Sequence, residues 1–230
     1  MDWKEKAKQL AVFEALKHGR DGQVLGLGSG STAAIAIKEL GNRIRKGMLT
    51  DIVAVPTSTQ AFLLAVENGI PTTTLYEHPR IDLTIDGADQ VDRDLNLIKG
   101  MGGALAREKI VASASKQLII VVDETKLTEK LGDNQVVPLE ILPFAVPLIL
   151  SRLQAMKIKG VVREGDGKVG PIVTDNGNFI IDADTGMIKN PNELDTKLKN
   201  IAGVVETGLF IDLADAVYVG GKTGVKKLAR

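Results

Sequence analysis

Residues 24–33 read VLGLGSGSTA, and this stretch carries most of the information about the fold. Val24–Leu27 has the composition of a short buried strand, and a helical pattern over 33–45 follows the glycine- and serine-rich turn. Further runs of β-forming residues occur at 52–55, 72–76, 83–85 and 118–122 and alternate with helical patterns. Buried strands that alternate with helices are typical of a parallel sheet covered on both faces. The sequence therefore predicts an open, mostly parallel, Rossmann-like α/β sheet.

The pattern changes after about residue 132. Strand-like runs and helical patterns then follow in a βαββαβ-like order, at 136–141, 145–156, 172–174, 179–181, 192–200 and 204–205. Asn176-Gly177 lies between the two middle strand-like runs, and Asn-Gly is a strong hairpin signal because both residues accept positive φ. This order predicts a small α+β domain with an antiparallel sheet, inserted at 132–206 into a Rossmann-like domain formed by 1–131 and 207–230.

The composition excludes several classes of protein. The 230 residues contain 29 Lys and Arg, 29 Asp and Glu, 3% aromatic residues and no Cys. Without Cys the chain forms no disulfide, thiolate nucleophile, zinc ribbon or iron–sulfur cluster. A neutral charge balance with few aromatic residues argues against a nucleic-acid partner. No apolar stretch reaches the roughly 18 residues that a membrane span needs, and the N-terminus is unlike a signal peptide, so we expect a cytoplasmic protein without a membrane partner.

The turn at 28–33 has the features of a phosphate-binding loop. Its glycines allow close backbone approach, and the N-terminus of the following helix offers free N–H groups and a partial positive charge. Three hydroxyl side chains, those of Ser29, Ser31 and Thr32, add donors. An ordinary capped turn is the alternative. A dinucleotide site is disfavoured because the second predicted strand is followed by Pro56 rather than by a carboxylate.

Two carboxylates, Asp86 and Asp89, follow the predicted strand at 83–85. This is the strand end at which open α/β sheets bind ligands. The spacing excludes a calcium loop, whose twelfth position would be Leu97, but leaves Mg²⁺ binding by the two carboxylates open. The neighbouring Asp92 and Asp94 are better explained as parts of a solvated acidic turn.

A lysine and a glutamate flank the glycine-rich loop in residues 96–109, which read NLIKGMGGALAREK. A short strand delivers Lys99, and Glu108 lies about one turn into the helix predicted to begin near residue 104. The loop could present N–H groups to an oxyanion, although most Lys and Glu residues are simply surface residues. No G-x-S-x-G elbow occurs. Carboxylates, a lysine and a phosphate loop favour proton transfer beside a carbonyl of a small phosphorylated substrate.

These motifs together resemble the type A ribose-5-phosphate isomerase family. The resemblance rests on GSGSTA at 28–33, DGAD at 86–89, KGMGGALAREK at 99–109, DNGN at 175–178 and GVVETGLF at 203–210. It covers nearly the whole chain in the right order. Three residues depart from the usual pattern: Ser29 stands for Thr, Gln90 for Glu and Met101 for Gly.

The resemblance implies that ribose 5-phosphate and ribulose 5-phosphate are interconverted through an enediol(ate), without a metal or nucleotide cofactor, by a homodimer or a dimer of dimers. It implies that Glu108 accepts and returns the proton, and that Asp86, Asp89 and Lys99 handle the hydroxyl and carbonyl oxygens. The substrate-binding residues that it implies are Ser29, Gly30, Ser31, Thr32, Asp86, Gly87, Ala88, Asp89, Lys99, Gly100, Met101, Gly102 and Lys126.

Two other kinds of protein share related folds. A non-catalytic sugar-phosphate sensor would need the phosphate loop but no base, and a coenzyme A transferase would need its nucleophilic glutamate in a different setting. The joint presence of Glu108, Asp86, Asp89 and Lys99 favours the enzyme.

Overall fold

The computed structural model describes residues 3–167 and 169–230. The α-helices are α1 (Trp3–Ala15), α2 (Gly30–Arg45), α3 (Thr59–Glu67), α4 (Leu105–Ser113), α5 (Val146–Ala155) and α6 (Pro191–Lys199). The strands are β1 (Val24–Leu27), β2 (Val53–Pro56), β3 (Leu83–Asp86), β4 (Gln90–Val91), β5 (Leu97–Ile98), β6 (Leu118–Asp123), β7 (Val137–Ile141), β8 (Lys159–Val162), β9 (Phe179–Asp184), β10 (Val204–Thr207), β11 (Leu209–Phe210), β12 (Ala216–Gly221) and β13 (Gly224–Ala229). None of the helices in these described residues is both long enough and apolar enough to cross a membrane.

The chain forms two compact units. The first comprises the chain up to Ala88, Arg107–Leu127 and Leu213–Arg230, and the second comprises Asp89–Ala106 and Thr128–Asp212. The domain bounds predicted from the sequence differ from these units mainly in the segment 89–106, which was expected in the first domain. As a division into domains, those bounds stay a prediction.

The first unit contains a six-stranded sheet in the order β13-β12-β6-β3-β1-β2 within the described residues. All neighbours pair in parallel except β12 and β13, which are antiparallel. Every residue of β6 is buried, as expected for a central strand with both faces covered. Helix α1 packs against β6 and β12, and its Ala11, Val12 and Ala15 belong to the main apolar core. The mostly parallel α/β sheet predicted from the sequence is thus confirmed.

Two elements at the edges of this sheet were predicted wrongly or not at all. The run 72–76 was expected to form a strand, but Thr72 makes only an isolated bridge to Ala54, and the chain then turns so that Thr73 Oγ1 donates to Glu77 Oε2. Strand β13 was not predicted, since most of its residues are exposed and include neighbouring lysines. Charged side chains of this kind are typical of an edge strand that does not pair further.

The second unit contains an antiparallel sheet in the order β10-β7-β9-β8 and a small antiparallel sheet in the order β11-β5-β4. The order β7-α5-β8-β9-α6-β10 agrees with the predicted βαββαβ arrangement, but β8 lies at Lys159–Val162 rather than at 172–174. The hairpin prediction was wrong in part, because 172–174 is not a strand and only Gly177 of the Asn-Gly pair has positive φ. The segment still turns back, since Thr174 N donates to Asn178 O at 2.8 Å, and the turn is tied to the sheet by Asn176 Nδ2 and Asn178 Nδ2, which both donate to the buried Glu140 Oε1 at 2.8 Å.

In the first unit, the titratable side chain of His18 contacts the hydroxyl group of Tyr218. His18 Nε2 lies 2.7 Å from Tyr218 Oη, and the pKa of His18 is lowered from 6.5, first by burial and then by Lys227 and Arg20. The folded state therefore favours the neutral ring, whereas the unfolded chain takes up a proton near pH 6.5. We expect the free energy of unfolding to be largest above pH 6.5 and to fall as the pH drops from there towards the lower pKa of the folded state.

Urea unfolding at about pH 7.5 and about pH 5.5 measures this effect. The loss of stability between the two pH values should be smaller in His18→Gln than in the wild type. An equal loss in both proteins would show that His18 does not contribute to it.

Candidate active site

Three parallel strands of the first unit end side by side at one edge of the sheet. Strand β3 lies between β1 and β6, and all three run in the same direction. The turn at 28–33 follows β1, Asp86 ends β3, and Lys126 follows β6 by three residues. The carboxyl edge of a parallel sheet is where such folds bind ligands. The fold therefore brings these sequence-predicted residues to one edge.

The hydroxyl of Ser29 does not cap helix α2. Ser29 precedes the helix with extended backbone, but its side chain makes no capping hydrogen bond. Its Oγ lies 2.8 Å from Thr57 Oγ1 and 2.5 Å from Ser58 Oγ, in the loop between β2 and α3. The alternative of an ordinary turn capped by a Ser or Thr side chain therefore finds no support at Ser29, the N-cap position. The first turn of α2, with Ser31 exposed and Thr32 partly exposed, remains suited to an anion.

Lys8 adds a positive charge to this turn. Its Nζ donates to Ser31 Oγ at 3.5 Å and lies 3.8 Å from Asp123 Oδ2, and its side chain is only 19% exposed. Sequence reasoning missed Lys8, because nothing distinguishes it from Lys4 and Lys6 on the same helix. A lysine beside a helix N-terminus strengthens an anion site, since both contribute positive potential.

Asp86 is held rigidly beneath the phosphate-type loop. It is 2% exposed, and its Oδ1 accepts hydrogen bonds from Ser29 N at 3.2 Å and from Gly87 N at 2.7 Å. A Cβ on Gly28 would lie 2.0 Å from the same oxygen, so glycine is required there by close approach. A Cβ on Gly87 would touch Thr32 Cβ at 3.5 Å, which shows that the turn after Asp86 packs next to the start of α2.

Two further predicted residues of the first unit have different surroundings. Glu108 lies in the first turn of α4 and is 5% exposed. Lys126 is partly exposed and ends a one-turn 3₁₀ helix that Asp123 caps by accepting from Thr125 N at 3.0 Å. The first unit thus contains a turn suited to an anion and three buried carboxyl groups, those of Asp86, Glu108 and the capping residue Asp123.

The second unit holds the other predicted residues, Asp89 and the loop that begins at Lys99. Lys99 is 3% exposed, its N donates to Gly208 O at 2.9 Å, and its Nζ lies 5.4 Å from the centre of the Phe210 ring. Asp89 Oδ2 accepts a hydrogen bond from Met101 N at 3.0 Å. Burial of Lys99 and Glu108 contradicts the alternative in which both are surface residues. A buried ammonium can stabilise an oxygen that gains negative charge, and an oriented carboxylate can accept a proton from a hydroxyl group and return it.

Two acidic or amide residues near Asp89 have structural roles. Gln90 replaces the usual Glu, and it accepts from Gly132 N at 2.9 Å while its Nε2 donates to Asp133 O at 2.6 Å. A carboxylate could not make the second bond, which explains how Gln serves there. Asp92, expected to be solvated, is buried and accepts hydrogen bonds from Asn96 N and Asp94 N. It organises the turn between β4 and β5.

The described parts of the chain, 3–167 and 169–230, contain no group of three His, Asp or Glu residues arranged to hold a metal ion. In this part of the chain, no His, Asp or Glu side chain therefore completes a group of three metal ligands with Asp86 and Asp89.

Comparison with known proteins gives one consistent result. Residues 53–224 match the family described as ribose 5-phosphate isomerase A (phosphoriboisomerase A). The chain is 49% identical over 226 residues to ribose-5-phosphate isomerase A of Pyrococcus abyssi, covering 98% of this chain and 99% of that one. The protein of the same name from Thermosynechococcus vestitus is 48% identical over 216 residues, covering 94% and 92%.

Solved structures are equally similar. A D-ribose-5-phosphate isomerase structure in complex with phospho-erythronic acid is 47% identical with a TM-score of 0.97, covering 100% of both chains. The ribose 5-phosphate isomerase A of Methanocaldococcus jannaschii is 45% identical with a TM-score of 0.94, covering 98% of this chain and 99% of that one.

Proposed function

This chain belongs to the ribose 5-phosphate isomerase A family and is an isomerase of the pentose phosphate pathway. From that premise we propose which residues carry out the reaction and how. The interconversion of D-ribose 5-phosphate and D-ribulose 5-phosphate moves a carbon-bound proton between C2 and C1 and passes through an enediol(ate). The observation that carries the proposal is the burial of Glu108 in the unit that contains the anion-binding turn.

Glu108 is proposed as the base that takes the proton from C2 and returns it to C1. A carboxylate is a suitable proton acceptor here, because Lys99 is assigned to the oxygens, the chain has no Cys, and its two His residues, His18 and His78, lie outside the predicted motifs. One group can serve both carbons, since in the enediolate they are adjacent and bonded. Low exposure of Glu108 limits exchange of the proton with solvent while it resides on the carboxyl group.

Lys99, Asp86 and Asp89 are proposed to manage the oxygens. The ammonium of Lys99 is shielded from water, and a positive charge in such surroundings stabilises a developing enediolate oxygen more than it would in bulk solvent. Asp86 and Asp89 have one carboxylate oxygen each engaged with backbone N–H groups, which fixes their orientation. They would exchange protons with the sugar hydroxyls and assist opening of the ring.

The first turn of α2, with Thr32, Lys8 and Lys126, is proposed to bind the phosphate and nearby hydroxyl groups. The first unit contains the N-terminus of α2, with its free N–H groups and partial positive charge, together with both lysines. These groups suit a phosphate dianion because all of them contribute positive potential. One similar structure holds phospho-erythronic acid, a phosphorylated sugar acid of the class that such a site would accept. Gly30, Gly87, Ala88, Gly100 and Gly102 would contribute backbone contacts.

We also propose that the enzyme works without a cofactor, in the cytoplasm, as a homodimer or a dimer of dimers. The cysteine-free composition supports a reducing compartment. A sugar-phosphate sensor would use the anion site but would need neither a buried Glu108 nor a buried Lys99, so no observation favours that alternative.

Conversion of ribose 5-phosphate to ribulose 5-phosphate should proceed at the same rate with and without EDTA. The physical reason is that Lys99 supplies the positive charge that a metal would otherwise provide. The assay follows the ketose formed by the purified protein after dialysis against the chelator. Loss of turnover in EDTA, with recovery on adding Mg²⁺, would show that the carboxylates hold a metal and that their proposed roles are wrong. Absence of turnover in every condition would instead favour the sensor.

A further inference from the structure

Arg163 links the antiparallel sheet of the second unit to the loop after Lys99. Arg163 directly follows β8, and its Nε donates to Asp182 Oδ2 on the neighbouring strand β9 at 2.8 Å. Its Nη2 donates to the other carboxylate oxygen of Asp182. The Arg163 side chain is 11% exposed. A two-point ion pair of this kind holds the guanidinium plane in one orientation.

The remaining edge of the guanidinium group binds the loop. Arg163 Nη1 donates to Gly100 O at 2.9 Å and to Met101 O at 3.0 Å, and Nη2 lies 3.7 Å from Met101 Sδ. Gly100 has a φ of 104°, a conformation that other residues rarely adopt. Charged donors on two successive carbonyl groups therefore hold the loop in this conformation.

One peptide group joins Arg163 to a proposed active-site carboxylate. The carbonyl of Gly100 and the N–H of Met101 belong to the same planar peptide. Its oxygen accepts from Arg163, and its N–H donates to Asp89 Oδ2 at 3.0 Å. The plane is rigid, so the direction of the carbonyl sets the direction of the N–H. A charged donor at the oxygen also polarises the peptide and strengthens its N–H as a donor.

We propose that Arg163 is a positioning residue that orients Asp89 for the isomerase reaction through the Gly100–Met101 peptide, with Asp182 fixing the guanidinium group. The proposal rests on the role of Asp89 proposed above. Arg163 does not itself contact the reacting atoms in this proposal. Without it the peptide is free to rotate, Asp89 loses its fixed donor, and the carboxylate samples orientations that do not serve the substrate.

Arg163→Met should lower kcat by about 10- to 100-fold, since small misplacements of a catalytic group have effects of that size. The change in KM should be smaller than the change in kcat, because the phosphate-binding turn belongs to the other unit and keeps its own contacts. The matched control is Arg93→Met, because Arg93 lies in the same unit and also pairs with a carboxylate, that of Glu129, but the pair is exposed to solvent. Its kcat should equal that of the wild type.

A double-mutant cycle with Asp89→Asn separates positioning from general structural damage. If Arg163 acts through Asp89, adding Arg163→Met to Asp89→Asn should change the residual kcat less than twofold. If the double variant loses kcat by the product of the two single losses, the substitutions act independently and the proposal is overturned. A wild-type kcat in Arg163→Met would overturn it as well. Where the Met variant does not fold, Arg163→Lys carries the same test, because one ammonium cannot replace both the Asp182 pair and the two carbonyl contacts.

The same cycle distinguishes this inference from the proposed function. Wild-type turnover in Asp89→Asn would show that the role given to Asp89 is wrong. A large loss in Asp89→Asn together with full activity in Arg163→Met would leave the role of Asp89 standing and would overturn the inference about Arg163 alone.

Discussion

Replacing Glu108 by Gln is expected to lower kcat for ribose 5-phosphate by about 10²- to 10⁴-fold, the usual contribution of a general base. Gln keeps the shape of the side chain and its ability to hydrogen-bond, but it cannot accept the C2 proton. Glu108 is buried in the first turn of α4, so bulk water is poorly placed to act in its stead. KM should change much less than kcat, because the phosphate and most hydroxyl contacts involve other residues.

The matched control for this substitution is Glu67→Gln, an exposed glutamate at the end of α3 in the same unit. It should retain wild-type kinetics. Transfer of deuterium from C2-labelled ribose 5-phosphate to C1 gives a second readout, because one buried base is proposed to serve both carbons, so this transfer and turnover should fall together in Glu108→Gln. Near-wild-type turnover in that variant would show that another group is the base.

Removing the phosphate from the substrate is expected to reduce kcat/KM by about 10³-fold or more, with kcat falling as well as affinity. Binding energy from a remote group can hold reacting atoms in a productive geometry, and a ligand without that anchor samples unproductive poses. Steady-state kinetics on ribose and ribose 5-phosphate measure this effect. Lys8→Met and Thr32→Ala should each weaken the reaction with ribose 5-phosphate, because Thr32 lies in the first turn of α2 and Lys8 Nζ reaches Ser31 Oγ in that turn.

The two substrates also provide an internal test of the anchor. Lys8→Met should slow the reaction with ribose 5-phosphate but leave the slow reaction with free ribose unchanged, because ribose has no phosphate to bind. Lys6→Met is the control, since Lys6 is exposed on the same helix. Equal kcat on both substrates at saturation would contradict the anchoring role. An equal effect of Lys8→Met on both substrates would assign Lys8 to folding instead.

Much of the fold could be predicted because its signals are local. The buried strands β1, β3 and β6 are short apolar runs with turn residues after them, and such runs form parallel sheets when helices separate them. The errors occurred where the local signal disagrees with the pairing and contacts that the folded chain makes. The run 72–76 has strand composition but makes only one bridge, and Asn176 donates to Glu140 without adopting the positive φ that its sequence context favours.

The residues proposed for catalysis were also accessible from the sequence, for a related reason. Glycines, hydroxyl residues and carboxylates at strand ends have few structural explanations when they occur together. Lys8 had no such signal, because a lysine on an amphipathic helix is usually a solvent-exposed residue. No sequence pattern indicated a role for Arg163 either, since its ion pair with Asp182 and its contacts with the loop join distant parts of the chain.

The sequence by itself determined most of the alternation of helices and strands, the turn at the start of α2 and the family, because each depends on neighbours within a few residues or on motifs in a fixed order. Tertiary structure alone decided which groups those motifs contact. It placed Lys8 beside Ser31, turned the Ser29 hydroxyl towards Thr57 and Ser58, and brought Asp86 against Gly28. These contacts depend on the packing of segments that are remote in the chain, and packing is a property of volumes and orientations that no short stretch of sequence contains.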